Sequence, residues 1–217
     1  MSGQADANSD RAIPQPVLNR IPTYLRAAED LLADGTETIS SSRLAKILGL
    51  TDGQVRADLV YFGAFGRPGV GYRVAHLVEE LRRVVGIDKP WPVALVGYGS
   101  IGRALVAHEG LRRRSFDIVV VLDADPAKVG RKAGRCTVQP VSELEQELTR
   151  REIRLAILAV PSGAAQDLAE QVAAAGVVGI MNFASVRLRL PEEVIVMNVD
   201  LTLLLERLSL RLKVAGH

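Results

Sequence analysis

Three glycines in a six-residue segment form the strongest chemical signal in the sequence. The segment from Gly97 to Gly102 reads GYGSIG and directly follows the apolar run VALV. In a strand-turn-helix unit, the first glycine allows a tight turn and the second lets a pyrophosphate approach the backbone, while the third lets helix and strand pack closely. The helix that follows directs its N-terminus at the anion. The predicted phosphate-binding residues are Gly97, Tyr98, Gly99, Ser100, Ile101 and Gly102.

An acidic residue at the end of the next apolar run strengthens this interpretation. Asp123 lies 21 residues after Gly102, where a carboxylate can accept hydrogen bonds from both hydroxyls of a ribose. It would repel a 2′-phosphate, and no arginine is adjacent. The pattern therefore favours NAD(H) over NADP(H). The alternative is that the glycines serve only a structural turn.

Two later loops are candidates for the walls of the nicotinamide half. Ligands of open α/β sheets bind beyond the carboxyl ends of the strands. The loop at Val160 and Pro161 and the loop at Asn182 and Phe183 both follow apolar runs. Without the glycine motif they would be ordinary connections.

Four apolar runs indicate the sheet that must position these loops. They cover residues 93–96, 118–122, 154–160 and 177–181, and amphipathic segments separate them. Continuous apolar runs are typical of strands covered on both faces, so we expect a parallel sheet between two layers of helices. The sequence predicts an α/β doubly wound, or Rossmann, domain.

The segment before this domain contains short helices separated by tight turns. The pattern predicts a first helix from Thr23 to about Gly35 and a second after the serines at 40–42. Thr51 and Gln54, three residues apart, form a capping-box signature for a third helix. The arrangement is typical of a helix-turn-helix unit.

A hairpin and a linker helix complete the N-terminal pattern. Residues 61–72 alternate glycines with aromatic and branched residues, as a small hairpin requires. A helix over 74–85 leads to a proline-rich break at 88–92, where we place a domain boundary. The fold predicted for this half is a winged helix-turn-helix.

Five exposed positions of this unit could read DNA. Basic residues outnumber acidic ones by three between residues 43 and 73. The third helix would present Gln54, Arg56 and Ala57 to the major groove, with Arg43 before it and Arg67 at the hairpin. Helix-turn-helix units also serve as plain dimerisation modules, and charged surface residues are often only solvated.

Composition limits the other classes of function. The chain has 217 residues, a net charge of +2 and one cysteine, Cys136. DNA contact must therefore be local, and neither a disulfide within the chain nor a metal site is expected. The single cysteine suits a reducing cytoplasm, and no stretch has the length and apolarity of a membrane span, so we expect a soluble cytoplasmic protein. Cys136 could be proposed as a thiol sensor, but a free structural cysteine is the simpler interpretation.

The last segment is predicted to form a separate helix. Leucines lie on one stripe of residues 200–213, and Leu203 and Leu210 make the opposite side apolar too. A helix that is apolar on both sides is expected to be buried, here against another subunit.

Several segments together resemble the bacterial redox-sensing repressor family Rex. They read RIPTYLR (20–26), VRADLVYFGAFGRPGVGY (55–72), VGYGSIGRAL (96–105), LDADPAKVGR (122–131), AVPSGAAQ (159–166) and GIMNFASVRL (179–188). The resemblance implies a homodimer that binds a palindromic operator when it is empty or NAD+-bound, and that NADH releases. It also implies that the last helix is swapped onto the partner subunit.

The resemblance assigns further boundaries and roles. It places Ser41, Ser42 and Tyr61 of shared motifs beside the DNA-binding candidates. It implies subunit signalling by Arg26 and Asp200, with His108 at a position where many members carry a tyrosine. The boundaries that follow are 1–17 for a disordered tail, 18–86 for the winged-helix DNA-binding domain, 91–198 for the Rossmann NAD(H)-binding domain and 199–217 for the swapped helix.

This chain departs from the family pattern at several positions. Ala57 and Val60 replace a lysine and a serine of the recognition helix, so operator sequence or affinity is expected to differ. His108 can still form hydrogen bonds, but its charge depends on pH. Ser185 replaces a proline.

Two alternatives remain beside the repressor. One is an NAD-dependent dehydrogenase or a CoA-ligase-type nucleotide domain. A dehydrogenase needs a proton donor beside the nicotinamide, and the two loops offer only Ser162, Asn182 and Ser185, so we predict no enzyme activity. The other is a helix-turn-helix protein that responds to a different adenine nucleotide.

Overall fold

The chain divides into two compact units. The computed structural model describes residues 13–63, 66–67 and 69–216. One unit ends at Lys89 and the other begins at Pro90. Residues 1–12 of the predicted tail, and residues 64, 65 and 68 of the predicted hairpin, lie outside the described residues.

The first unit is a winged helix. Its helix α1 packs on helices α2 and α4, and its short strands form an antiparallel sheet in the order β1-β3-β2. The elements are α1 (Gln15–Ala33), β1 (Thr38–Ile39), α2 (Ser41–Leu48), α3 (Asp52–Val60), β2 (Gly66–Arg67), β3 (Gly71–Arg73) and α4 (Val74–Val85).

Side chains that cap the helices explain where α2 and α3 begin. The Ser40 hydroxyl accepts a hydrogen bond from the Arg43 N–H at 3.1 Å and caps α2. The capping box predicted at the start of α3 is confirmed, because Thr51 and Gln54 each accept from the other's backbone N–H. These caps satisfy N–H groups that a helix leaves unpaired.

Helix α1 begins at Gln15, and the prediction of a start at Thr23 is wrong. Residues 15–17, predicted as part of the tail, are helical. Pro14 and Pro16 are compatible with the first turn, where a missing N–H removes no helical hydrogen bond. Pro22 lies inside the helix but on its exposed side, while Ile21 beside it is buried in the core. Burial of the apolar face therefore outweighs the hydrogen bond that Pro22 cannot make.

The second unit is a parallel sheet with helices. The described strands have the order β10-β9-β8-β4-β5-β7-β6, and only the pairing of β6 with β7 is antiparallel. The elements are β4 (Trp91–Val96), α5 (Ser100–Ala107), α6 (Glu109–Arg113), β5 (Phe116–Asp123), β6 (Lys132–Ala133), β7 (Cys136–Pro140), α7 (Leu144–Arg150), β8 (Leu155–Leu158), α8 (Ser162–Ala174), β9 (Gly179–Asn182), β10 (Ile195–Asn198) and α9 (Leu201–Val214).

The predicted α/β class is confirmed, and register explains why the site loops meet. Val96 pairs with Leu122 on one side and with Leu158 on the other. The loops that follow these three strands therefore leave the sheet at one edge. Strands β6 and β7 were not predicted, because neither contains a continuous apolar run. Strand β10 was not predicted either, although residues 194–197 are all apolar.

Helix α9 is the last helix of the described residues, and its apolar side chains are exposed. Asp200 caps it by accepting a hydrogen bond from the Leu203 N–H at 3.0 Å. Its seven leucines are between 42% and 66% exposed, at positions 201, 203, 204, 205, 208, 210 and 212. Apolar exposure on this scale is typical of a surface that another chain covers.

Candidate functional site

The glycine turn between β4 and α5 has three positions with three different constraints. Gly97 has a φ of +101°, and a Cβ there would lie 2.3 Å from the Ala159 carbonyl oxygen. A Cβ on Gly102 would lie 2.1 Å from the Gly97 carbonyl oxygen. A Cβ on Gly99 would meet no atom within 4 Å, so space is open on its side. A pyrophosphate-binding turn requires these three properties: a tight turn at the first glycine, open space for the ligand at the second, and close packing of helix and strand at the third.

A cavity of about 490 Å³ lies beside this turn at the carboxyl edge of the sheet. Most of the predicted cofactor residues line it, and Lys128, which was not predicted, lines it too. The predicted residues among its lining are Gly97, Gly99, Ser100, Ile101, Asp123, Val160 and Pro161. Gly102 lies buried beneath the turn.

The Asp123 carboxylate is held by several donors. Oδ2 accepts from the Tyr98 N–H at 2.6 Å, Oδ1 accepts from the Asp125 N–H at 2.8 Å, and the Lys128 ammonium lies 3.1 and 3.2 Å from the two oxygens. Burial alone would raise the pKa of Asp123, but the hydrogen bonds and Lys128 outweigh burial and lower it. The group is therefore a carboxylate at neutral pH.

Three other predicted cofactor residues do not line this cavity. Asn182 is fully buried, and its side chain bonds to the Val186 carbonyl, the Ala184 N–H and the Asn198 side chain. Phe183 packs against the apolar cluster beneath the sheet, and Tyr98 does the same. Asn182 therefore shapes the loop after β9, and Tyr98 acts on Asp123 through its backbone.

The DNA-binding candidates lie on α2, α3 and the hairpin. Arg56 on α3 donates to Asp52 at 2.6 Å and to the Ser41 hydroxyl at 3.3 Å, so α2 and α3 are joined at the surface. A groove of about 510 Å³ runs between α3 and the hairpin, with Arg56 and Arg67 among its lining. Ser42, Arg43, Gln54 and Ala57 are exposed, and Ser41 and Tyr61 are half-buried. The face therefore presents hydroxyl, amide and guanidinium groups, which are kinds that contact DNA phosphates, together with the exposed apolar side chains of Val60 and Val70.

A buried ion pair that was not predicted holds α3 against α1. Arg20 donates to both oxygens of Asp58 at 2.7 and 2.8 Å, and the buried Tyr24 hydroxyl donates to Asp58 at 2.8 Å. Burial alone would raise the pKa of Asp58, but the hydrogen bonds from Arg20 and Tyr24 outweigh burial and lower it. Asp58 is one of the two acidic residues in the charge count over residues 43–73. The fold pairs it internally instead.

The three residues implied in signalling occupy different places. Arg26 is exposed on α1 of the first unit. In the second unit, His108 lies exposed between α5 and α6, and Asp200 caps α9. None of these placements tests the roles that the resemblance implies.

Other chemistry is limited in the described part of the chain. Within it, His, Cys, Asp and Glu residues form no group of three suited to a metal ion. Over the same ranges, every helix is too short or too polar to cross a bilayer. Burial raises the pKa of the Cys136 thiol, whose Sγ donates to the Ile118 carbonyl at 3.2 Å. A protonated thiol is a poor redox sensor.

The two units together define a class of protein, a winged-helix DNA-binding module joined to a Rossmann nucleotide-binding domain. Family models match each unit separately. One described as a putative DNA-binding protein N-terminus matches residues 12–59, and one described as a CoA binding domain matches residues 88–186.

Full-length relatives identify the family. The chain is 41% identical over 201 residues to the redox-sensing transcriptional repressor Rex of Carboxydothermus hydrogenoformans, covering 93% of this chain and 97% of that one. It is 40% identical to Rex of Thermosipho africanus, covering 94% and 98%. The chain belongs to the Rex family of redox-sensing transcriptional repressors.

Solved structures agree with this assignment. A crystal structure of RSP in complex with β-NAD+ and operator DNA has a TM-score of 0.91 and 32% identity, with 95% of each chain covered. RSP is a Rex-family repressor. Its complex with β-NADH has a TM-score of 0.87 and 31% identity, covering 95% of this chain and 97% of that one.

Proposed function

We propose that this chain is a transcriptional repressor that binds operator DNA when empty or NAD+-bound and is released by NADH. The observation that carries the proposal is the glycine-lined cavity with the Asp123 carboxylate at the end of β5, where a Rossmann unit binds ribose, in a chain that also has a winged helix. A ligand can shift DNA affinity only if it binds the two states differently. NADH is therefore proposed to favour the state that does not bind DNA. A repressor acts where its DNA lies, so we propose a cytoplasmic location.

The proposed assembly is a homodimer on a palindromic operator. Two-fold symmetry of a dimer repeats the half-site, which a palindrome matches. The uncovered leucines of α9 support the proposal, since a partner subunit would bury them. We propose that α9 is swapped between subunits, and that Arg26, His108 and Asp200 take part in signalling.

The experiment is an anisotropy titration with a labelled duplex that the protein selects from a random-sequence pool without nucleotide. The preformed complex is titrated with NADH and, separately, with NAD+. NADH is expected to release the duplex at concentrations where NAD+ does not. Equal release by both, or by neither, would contradict the proposal. Competition between NADH and ATP distinguishes a sensor of another adenine nucleotide.

We propose that the chain is not an enzyme. The described residues that line the cavity include no histidine, and the ammonium of Lys128 is paired with Asp123 at the ribose end. A dehydrogenase needs a proton donor aimed at the substrate carbonyl. NADH absorbance should therefore stay constant with a panel of aldehydes and ketones, and steady oxidation would favour the dehydrogenase.

Replacing Arg56 with alanine is expected to weaken duplex binding by about 1–3 kcal/mol. The change removes a cation from α3 and uncovers the carboxylate of Asp52, which then faces the phosphates. NADH binding, measured by nucleotide fluorescence, should not change. Arg83→Ala removes an exposed, paired arginine from α4 and is the matched control. Duplex binding by Arg56→Ala equal to that of the control would show that α3 is not the recognition helix.

A further inference from the structure

The Asp123 side chain occupies an anion site that the fold builds from other groups. Two backbone N–H groups, of Tyr98 and Asp125, and the Lys128 ammonium all point at its two oxygens within 3.2 Å. Donors of these kinds, fixed by backbone, also bind phosphate oxygens. The site is therefore suited to a phosphate as well as to a carboxylate.

This anion site opens on the dinucleotide cavity. Asp123, Asp125 and Lys128 all line the cavity beside the glycine turn. Asp123 ends strand β5, which is the position of the ribose-binding acid in a Rossmann unit. In such a unit the acid faces the 2′-oxygen of the ribose, so a 2′-phosphate would compete with the carboxylate for the same place.

Lys128 has no strong alternative partner in this site. Its ammonium lies 3.7 Å from Asp125, whose other oxygen accepts from the Ala127 N–H. Asp125 is exposed, so its interaction with Lys128 is screened by water. Without the Asp123 carboxylate, the ammonium and both N–H groups would lack their principal acceptor.

We propose that Tyr98 N, Asp125 N and Lys128 form a latent 2′-phosphate site, which Asp123 fills and thereby blocks. The inference rests on the proposed function, since it assigns the cavity to a dinucleotide. It makes the choice of NAD(H) over NADP(H) depend on one carboxylate rather than on the shape of the cavity. Lys128 is then a specificity-determining residue whose effect Asp123 cancels.

The test compares NADH and NADPH binding by the full-length chain and two variants. Wild type is expected to bind NADH and to reject NADPH. Asp123→Ser is expected to shift the NADPH-to-NADH affinity ratio by about 100-fold toward NADPH, because charge-assisted hydrogen bonds replace repulsion. Asp123→Ser combined with Lys128→Met should lose the NADPH affinity that the single variant gains.

The outcomes separate this inference from the proposed function. If wild type binds neither nucleotide, the proposed function fails. If wild type binds NADH but Asp123→Ser binds NADPH no better than wild type does, the latent site is refuted. NADPH binding that survives Lys128→Met would refute the role of Lys128. Asp123→Ala, which also empties the site, decides the question if circular dichroism shows that the serine variant is unfolded.

Discussion

Replacing Gly102 with alanine is expected to raise strongly the NADH concentration needed for release, while DNA binding persists. The added Cβ would lie 2.1 Å from the Gly97 carbonyl oxygen, which is a backbone atom of the turn, and the Cβ itself is bonded directly to the backbone of α5. Neither can rotate away, so α5 and the turn must separate. Such overpacking costs about 1–3 kcal/mol, which corresponds to about a 5- to 150-fold loss of affinity if the bound turn must be restored. Fluorescence titration with NADH measures the loss.

Gly99→Ala is the matched comparison for Gly102→Ala. Its Cβ would meet no protein atom, so the thermal unfolding midpoint should remain that of wild type. NADH binding should nevertheless fall, since the pyrophosphate is proposed to approach this position. Wild-type NADH affinity in both variants would contradict the assignment of the turn.

Replacing Asp58 with alanine is expected to destabilise the winged helix by about 3 kcal/mol. The carboxylate is 3% exposed and joins α3 to α1 through Arg20 and Tyr24. Its loss leaves a partly buried guanidinium and a buried hydroxyl without their acceptor. Urea unfolding followed by circular dichroism measures the change, and duplex binding should decrease with it.

An exposed carboxylate on the same helix is the control. Asp52 is 50% exposed and pairs with Arg56, so Asp52→Ala should cost less than about 1 kcal/mol. Equal destabilisation by Asp52→Ala and Asp58→Ala would show that burial of the Asp58 pair adds nothing.

The Asp58 pair also gives stability a dependence on pH. Folding lowers the pKa of this carboxyl, so its contribution is complete above the unfolded-state pKa, about 4. The contribution is lost as pH falls from there through the folded-state pKa. Asp58→Asn should therefore flatten the acid limb of the stability curve, and an unchanged limb would assign it to other carboxylates.

Features encoded by neighbouring residues could be predicted from the sequence. The glycine turn, Asp123 and the caps at Ser40 and Thr51 each depend on local spacing. The four apolar runs predicted a parallel sheet, because continuous apolar strands are typical of such sheets. Each of these features depends on residues that lie close together in the sequence.

Features that depend on the folded arrangement of the chain could not be predicted from the sequence. The pairing of Arg20 with Asp58 spans 38 residues and has no local signal. Asn182 follows a strand as a ligand-binding residue would, yet its amide turns inward because Asn198 on β10 pairs with it. Lys128 is only five residues from Asp123, but their contact depends on how the loop after β5 folds, which no sequence motif indicated.

The most direct measurement closes a thermodynamic cycle between nucleotide and DNA. NADH affinity is measured with and without a saturating concentration of the selected duplex, and duplex affinity with and without NADH. Coupling between sites is reciprocal, so the duplex should weaken NADH binding by the same factor by which NADH weakens duplex binding. NADH affinity that is identical with and without the duplex would contradict the account.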